Sequence, residues 1–139
     1  MFENITSELP VETSIADLLS LIGKPTRIQI LMVIHEQEAC VCHLENVLGL
    51  RQASISQHLM VLRKAGLVVT HRDGRHIFYK LARPELIDLL EQTGTIIGSD
   101  LNVLRSLSSR PSTGCSCPQC NPEMEPKLTC QTNEPKKRR

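Results

Sequence analysis

The sequence predicts a mainly α fold carrying one β-hairpin. Three observations predict it. Apolar residues recur at helical spacing through most of residues 13–107. The period changes to two only on either side of Asp73-Gly74, a strong hairpin signal. Aromatics make up 2% of the 139 residues, so Leu, Ile, Val and Ala must build the core, which favours packed helices over a large sheet. Apolar residues are 40% of the chain, enough for one modest core. No stretch approaches the roughly 18 uninterrupted apolar residues of a membrane span. Met1 to Pro10 lacks the basic region and apolar run of a signal peptide.

Residues 13–23 read as an amphipathic helix, capped by Thr13 or Ser14, with Ile15, Leu18, Leu19 and Ile22 on one face and Gly23 at its end. Pro25 suits the first turn of a second helix that runs to about Glu36. A short helix is expected from near Cys42 to Gly49, and another over residues 52–65, stopped by Gly66. These two and their brief joint have helix-turn-helix proportions. Leu67–Arg72 and Arg75–Leu81 are the strands. Pro84 opens a last helical region through Leu107, weakened by Gly94 and Gly98. From Ser108 onward there is no periodicity, and five of the eight prolines lie there. The expected organisation is an N-terminal arm (1–12), a folded unit (13–107) and a disordered Cys-rich tail (108–139).

The net charge of +1 hides a strong asymmetry. Residues 1–50 carry −5, residues 51–83 carry +6 and residues 84–139 are balanced. The middle block is an electrostatic footprint for phosphates. On a helix over 52–65, Ile55, Leu59 and Leu62 form the buried stripe, with His58 at its edge as a structural, hydrogen-bonded residue. The other side presents Gln52, Ala53, Ser54, Ser56, Gln57, Met60 and Lys64. Small polar residues at a helix N-terminus can enter a major groove, where Gln and Ser hydrogen-bond base edges. Arg51, Arg63 and Lys64 supply phosphate contacts, which position without specifying. The hairpin tip adds Arg72, Asp73, Gly74, Arg75 and His76, a basic loop for the backbone or the minor groove. Double-stranded DNA is the expected partner.

Ala39-Cys-Val-Cys-His-Leu, Ser54-Ile-Ser-Gln-His-Leu-Met-Val-Leu-Arg-Lys-Ala-Gly-Leu-Val68 and Arg72-Asp-Gly-Arg-His-Ile-Phe-Tyr79 together resemble the ArsR/SmtB family of bacterial metal-sensing repressors. The resemblance spans about residues 13–107. It implies a winged helix-turn-helix, a homodimer formed by the first and last helices, an inverted-repeat operator, repression of a metal-resistance operon, and release on ion binding. Cys40 and Cys42 look like the thiolate site of the arsenic- and cadmium/lead-sensing members. The sequence departs from those patterns in instructive places. A third cysteine often stands three residues beyond the Cys-Val-Cys, and here that position is Glu45. Cadmium/lead sensors use N-terminal cysteines, and none precedes Cys40. The zinc site of the last helix needs His, and residues 84–107 have none. Persulfide sensors need a Cys on that helix, which is also missing.

Six cysteines without a secretory signal indicate a reducing compartment, hence the cytoplasm, where thiols bind metals or do redox chemistry. In a regular helix, residues two apart point about 200° apart, so Cys40 and Cys42 share an ion only if the helix start is unwound. Capture of an ion then strains the reading head. Thiolates suit soft ions and exclude Mg²⁺ and Ca²⁺. The tail carries Cys115, Cys117 and Cys120 in six residues, with Cys130 ten further on. A third ligand comes from this tail, in the same or the other subunit, or from His43; alternatively the tail holds its own ion. Three thiolates without a fixed fourth ligand suit As(III) or Sb(III), with Cd(II), Pb(II) or Zn(II) as the alternative. No permanent cofactor is expected. A thiol redox switch and a metal-buffering protein are the competing classes. An enzyme is not expected, because no Ser/His/Asp set, paired carboxylates or phosphate-cradling loop is present. The terminal Lys136–Arg139 run adds non-specific DNA affinity or nothing.

Overall fold

The computed structural model describes residues 9–108. Its elements are α1 (Val11–Ile22), α2 (Pro25–Ile34), α3 (Val41–Leu48), α4 (Gln52–Lys64), β1 (Val68–Asp73), β2 (His76–Leu81), α5 (Glu85–Ile96) and α6 (Asn102–Arg105). The centre is α2. Five consecutive residues, Ile30 to Ile34, are buried, so the helix is enclosed on every side rather than amphipathic. It packs against α3, α4, β2, α5 and α6. The core adds Leu44 and Val47 from α3, Ile55, Leu59 and Leu62 from α4, and Leu86 and Leu90 from α5.

Four details differ from the sequence reading, each for a local reason. The first helix starts earlier: extended Pro10 takes the cap position, and its carbonyl accepts from the N–H groups of Thr13 (3.0 Å) and Ser14 (3.2 Å). Thr13 and Ser14 therefore lie inside the first turn, and Ser14 is buried. The second helix ends at Ile34, two residues before Glu36.

The hairpin turn is displaced by one residue. Asp73 pairs with His76, which leaves Gly74-Arg75 as the two-residue loop. Gly74 has φ +63° and Arg75 after it does not have positive φ, the pattern of a turn with glycine at its first central position. The register is antiparallel, with His71 opposite Phe78 and Thr70 opposite Tyr79.

The last helical region is two helices. At Gly98, φ +69°, the Gly98 N–H donates to Thr95 O (3.1 Å) and the Ser99 N–H to Gly94 O (3.0 Å). These paired bonds satisfy the final carbonyls of α5 and end it. The chain then turns back, Leu101 packs onto buried Gly94, and Arg105 closes the corner with a 2.7 Å ion pair to Glu91. The folded part continues through Ser108, which is buried; its hydroxyl lies 3.3 Å from Glu36 Oε2.

One flank of α1 stays open. Val11, Ile15 and Leu19 are 69%, 53% and 47% exposed, and Ile96, Ile97 and Val103, late in the sequence, are also exposed. No helix among the described residues is long and apolar enough to cross a membrane.

Candidate nucleic-acid interface and thiol site

The DNA-facing surface starts from the way α4 is held. Ile55, Leu59 and Leu62 are fully buried, which fixes the rotation of the helix. Ala53, Gln57, Met60 and Lys64 are thereby exposed, and Gln52, Ser54 and Ser56 are half-buried on the flanks. Arg51 stands at the cap position with extended backbone and gives the helix no side-chain hydrogen bond. The N-terminus of α4 thus keeps the positive end of its dipole available to a phosphate. Arg51, Arg63, Lys64, Arg72, Arg75, Lys80 and Arg83 are all exposed. The expected reading face and basic footprint are therefore both on the surface.

His76 is placed differently. With the turn at Gly74-Arg75 it opens β2 instead of standing at the tip, and it is 4% exposed, with its ring 6.2 Å from that of buried Phe78. Arg72 and Arg75 remain at the tip without it.

His58 does stay structural. Its Nδ1 accepts from Arg27 Nε at 3.1 Å, and the same guanidinium donates through Nη1 to Leu21 O at 2.7 Å. Arg27 on α2 thus links the C-terminal end of α1 to the middle of the reading helix. Burial, then the charges of Arg27 and Lys24, push the His58 pKa below the ordinary histidine value. Protonation removes the acceptor that Arg27 uses. The native state resists a proton that the unfolded chain accepts, so this contribution to stability is complete above about pH 6.5 and is lost as pH falls through the lower native value. His58→Gln keeps an acceptor and does not titrate. The expected result is that the wild type loses more stability than H58Q between about pH 7 and about pH 5, read by thermal melting in matched buffers. Parallel pH profiles would remove His58 from this role.

The thiol site sits at the start of the helix-turn-helix. Cys40 is the cap residue of α3, with extended backbone (φ −86°, ψ 168°), and its Sγ accepts from the His43 N–H at 3.4 Å. Cys42 is the second residue of the helix and half-buried; its Sγ accepts from Asn46 Nδ2 at 3.7 Å. The unwinding that a shared ion requires is thus half built in, because Cys40 already stands outside the helix. Two effects oppose each other at Cys40. The helix N-terminus favours a thiolate, while complete burial (0% exposed) disfavours any charge. A cation on the sulfur neutralises the charge and removes the second effect.

No group of three or more His, Cys, Asp or Glu suited to a metal occurs among the described residues. Cys115, Cys117, Cys120 and Cys130 lie outside them.

Two connections went unread in the sequence. Ala39 forms an isolated antiparallel bridge with Tyr79, with N–H to O distances of 3.0 and 2.8 Å. Glu38 Oε2 lies 2.7 Å from His71 Nδ1 on β1. Nothing local marks these pairs, or Arg27–His58, because each joins residues more than thirty positions apart.

Residues 24–70 match the bacterial regulatory protein family arsR. The biofilm growth-associated repressor of Agrobacterium fabrum is 39% identical over 79 residues, covering 57% of this chain and 68% of that protein. The cadmium resistance transcriptional regulatory protein CadC of Listeria innocua is 30% identical over 79 residues, covering 56% and 66%. The crystal structure of NolR from Sinorhizobium fredii aligns with a TM-score of 0.57 at 33% identity, covering 66% of this chain and 97% of that one. With its hairpin packed on α2 and α4, its exposed basic block and these relatives, the chain is a winged helix-turn-helix transcriptional regulator of the arsR family.

Proposed function

We propose that the protein is a cytoplasmic repressor of a metal- or metalloid-resistance operon. It binds an inverted-repeat operator as a homodimer and releases it when thiolates capture a soft ion, As(III) or Sb(III) before others. The observation that carries this reading is the position of Cys40. It caps the first helix of the reading head, so an ion drawn between Cys40 and Cys42 pulls on the element that α4 packs against. A ligand shifts an equilibrium only by its differential affinity for the two states, and this distortion supplies the difference.

The apolar flank of α1 and the exposed Ile96, Ile97 and Val103 support the dimer, since a second copy covers them. The third donor is a thiolate of Cys115, Cys117 or Cys120. Ser108, the last described residue, lies beside Glu36, which is only four residues from Cys40 in sequence. The seven residues from Ser108 to Cys115 reach at most about 25 Å when extended. That span supports a tail thiolate from the same subunit; His43 is the other donor at hand. Three sulfurs suit a trigonal As(III) or Sb(III). Cd(II) is the alternative that the similarity to the cadmium resistance regulator supports, and Pb(II) and Zn(II) follow from the same four-ligand chemistry.

The test is a mobility-shift titration on the DNA upstream of the protein's own gene. It uses arsenite, Sb(III), Cd(II), Pb(II) and Zn(II) with the wild type, the Cys40→Ser/Cys42→Ser variant and a chain cut after Arg110. The expected result is an ion-dependent loss of affinity of about 5- to 150-fold for the wild type and none for the double variant. The cut chain reports whether the tail completes the site. Release of the double variant as readily as the wild type would exclude the Cys40–Cys42 site. Release by diamide but by no ion would instead establish a thiol redox switch.

A further inference from the structure

From the bridge and the ion pair that flank Cys40, we infer that the wing is a second output of the thiol site, with Glu38 and His71 as the positioning pair that couples them. The inference rests on the release reading above.

Residues 38–40 form a strap gripping both strands of the hairpin. Glu38 holds β1 through His71 at 2.7 Å, and Ala39 holds β2 through its two backbone bonds to Tyr79. The grip on β1 is reinforced by the His71 ring, which stacks on Phe78 at 5.5 Å and 25°. Cys40 is the next residue, fully buried, and its sulfur is held by the His43 N–H. Adjacent Cα atoms keep a fixed spacing of about 3.8 Å. A backbone displacement of Cys40 toward Cys42 therefore pulls on Ala39, which follows or loses its bridge to Tyr79.

Either event reaches the wing. Tyr79 is four residues from Arg75 at the tip, a lever of about 13 Å. A tilt of about 10° at its base displaces the tip by about 2 Å, enough to break a phosphate contact of ordinary length. The strain thus has two routes out. One runs through α3 to the reading helix, and the other runs through the strap to Arg72 and Arg75.

Neither member of the pair belongs to the thiol site or the DNA face. Glu38 precedes Cys40 by two residues, and His71, next to Arg72 on β1, points to the opposite face of the strand. Glu38→Ala removes the acceptor. Glu38→Gln keeps one for the Nδ1–H of His71. His71→Phe keeps the ring on Phe78 and loses the hydrogen bond.

The full-length protein and these three variants, each with and without Arg75→Ala, are titrated onto operator DNA with and without arsenite. Melting temperature serves as the check on folding. In the wild type, Arg75→Ala weakens arsenite-free binding and costs nothing once arsenite is bound, because the wing has already left. In Glu38→Ala and His71→Phe the arsenite-free affinity stays within about two-fold, and the arsenite effect shrinks by about 2- to 30-fold. Arg75→Ala then costs the same in both states. Glu38→Gln restores wild-type coupling, which a merely structural loss does not allow. If the arsenite effect is equal in all four proteins, the strap is overturned while the release reading survives. If arsenite releases none of them, including the wild type, the release reading fails and the strap fails with it.

Discussion

Raising monovalent salt from about 50 to about 200 mM lowers operator affinity by about 20,000- to 300,000-fold. The expectation follows from counting exposed cations on the DNA-facing side. Arg51, Arg63, Lys64, Arg72 and Arg75 are available on each subunit. In a two-fold dimer they allow roughly eight to ten phosphate contacts, each contributing about −0.9 to the slope of log affinity against log salt. The expected slope is therefore between about −7 and −9, and a single subunit gives about half of that. The same experiment thus reads the footprint and the dimer together. Arg75→Ala should make the slope shallower by about two, one contact per subunit, and weaken all sequences alike. Gln57→Ala, on the reading face, should instead leave the slope unchanged and relax the preference for operator over random DNA. A slope shallower than about −4 for the wild type would mean that helix and wing do not track the backbone together.

Leu59→Ala destabilises the folded protein by about 2–5 kcal/mol. Leu59 is fully buried between Ile55 and Leu62 on the stripe that docks α4 into the core. Truncation loses the transfer free energy of the side chain and leaves a cavity that a helix pinned on both sides of the gap cannot collapse. A domain near 100 residues loses about 4–8 °C of melting temperature per kcal/mol, so the midpoint should fall by at least about 8 °C. Comparison is made at equal protein concentration, because the midpoint of a dimer depends on concentration. Ser56→Ala, on the half-buried flank of α4, should stay within about 0.5 kcal/mol of the wild type. If L59A melted with the wild type and S56A melted early, the assignment of the two faces would be reversed.

Much of the interface is legible in the sequence because its signals are local. The spacing of Ile55, Leu59 and Leu62 sets which side of α4 is buried, and burial of one side exposes the other. The shift from period 3.6 to period 2 around Gly74 marks the wing. The concentration of charge in residues 51–83 marks the footprint, since all seven cations are exposed. The errors are also local and arise where two signals compete. Asp73-Gly74 is a strong turn dipeptide, yet the pairing of Asp73 with His76 places the loop one residue later. That shift takes His76 off the tip and into the interior beside Phe78. In the last helical region, apolar periodicity continues across Gly98, but a left-handed residue there ends α5 regardless of the pattern around it.

The sequence by itself determined the fold class, the exposed polar face of α4, the cluster of basic residues and the Cys-Val-Cys at the head of α3, because each depends on residues within a few turns of one another. Only the tertiary structure decided that Cys40 stands outside the helix with its sulfur on the His43 N–H. It also decided that Arg27 fastens α1 to His58, and that Glu38 and Ala39 hold both strands of the wing. Those partners lie 31, 33 and 40 positions apart. At such separations local propensity carries no information about contact, and the packing of α2 at the centre of the core is what brings them together.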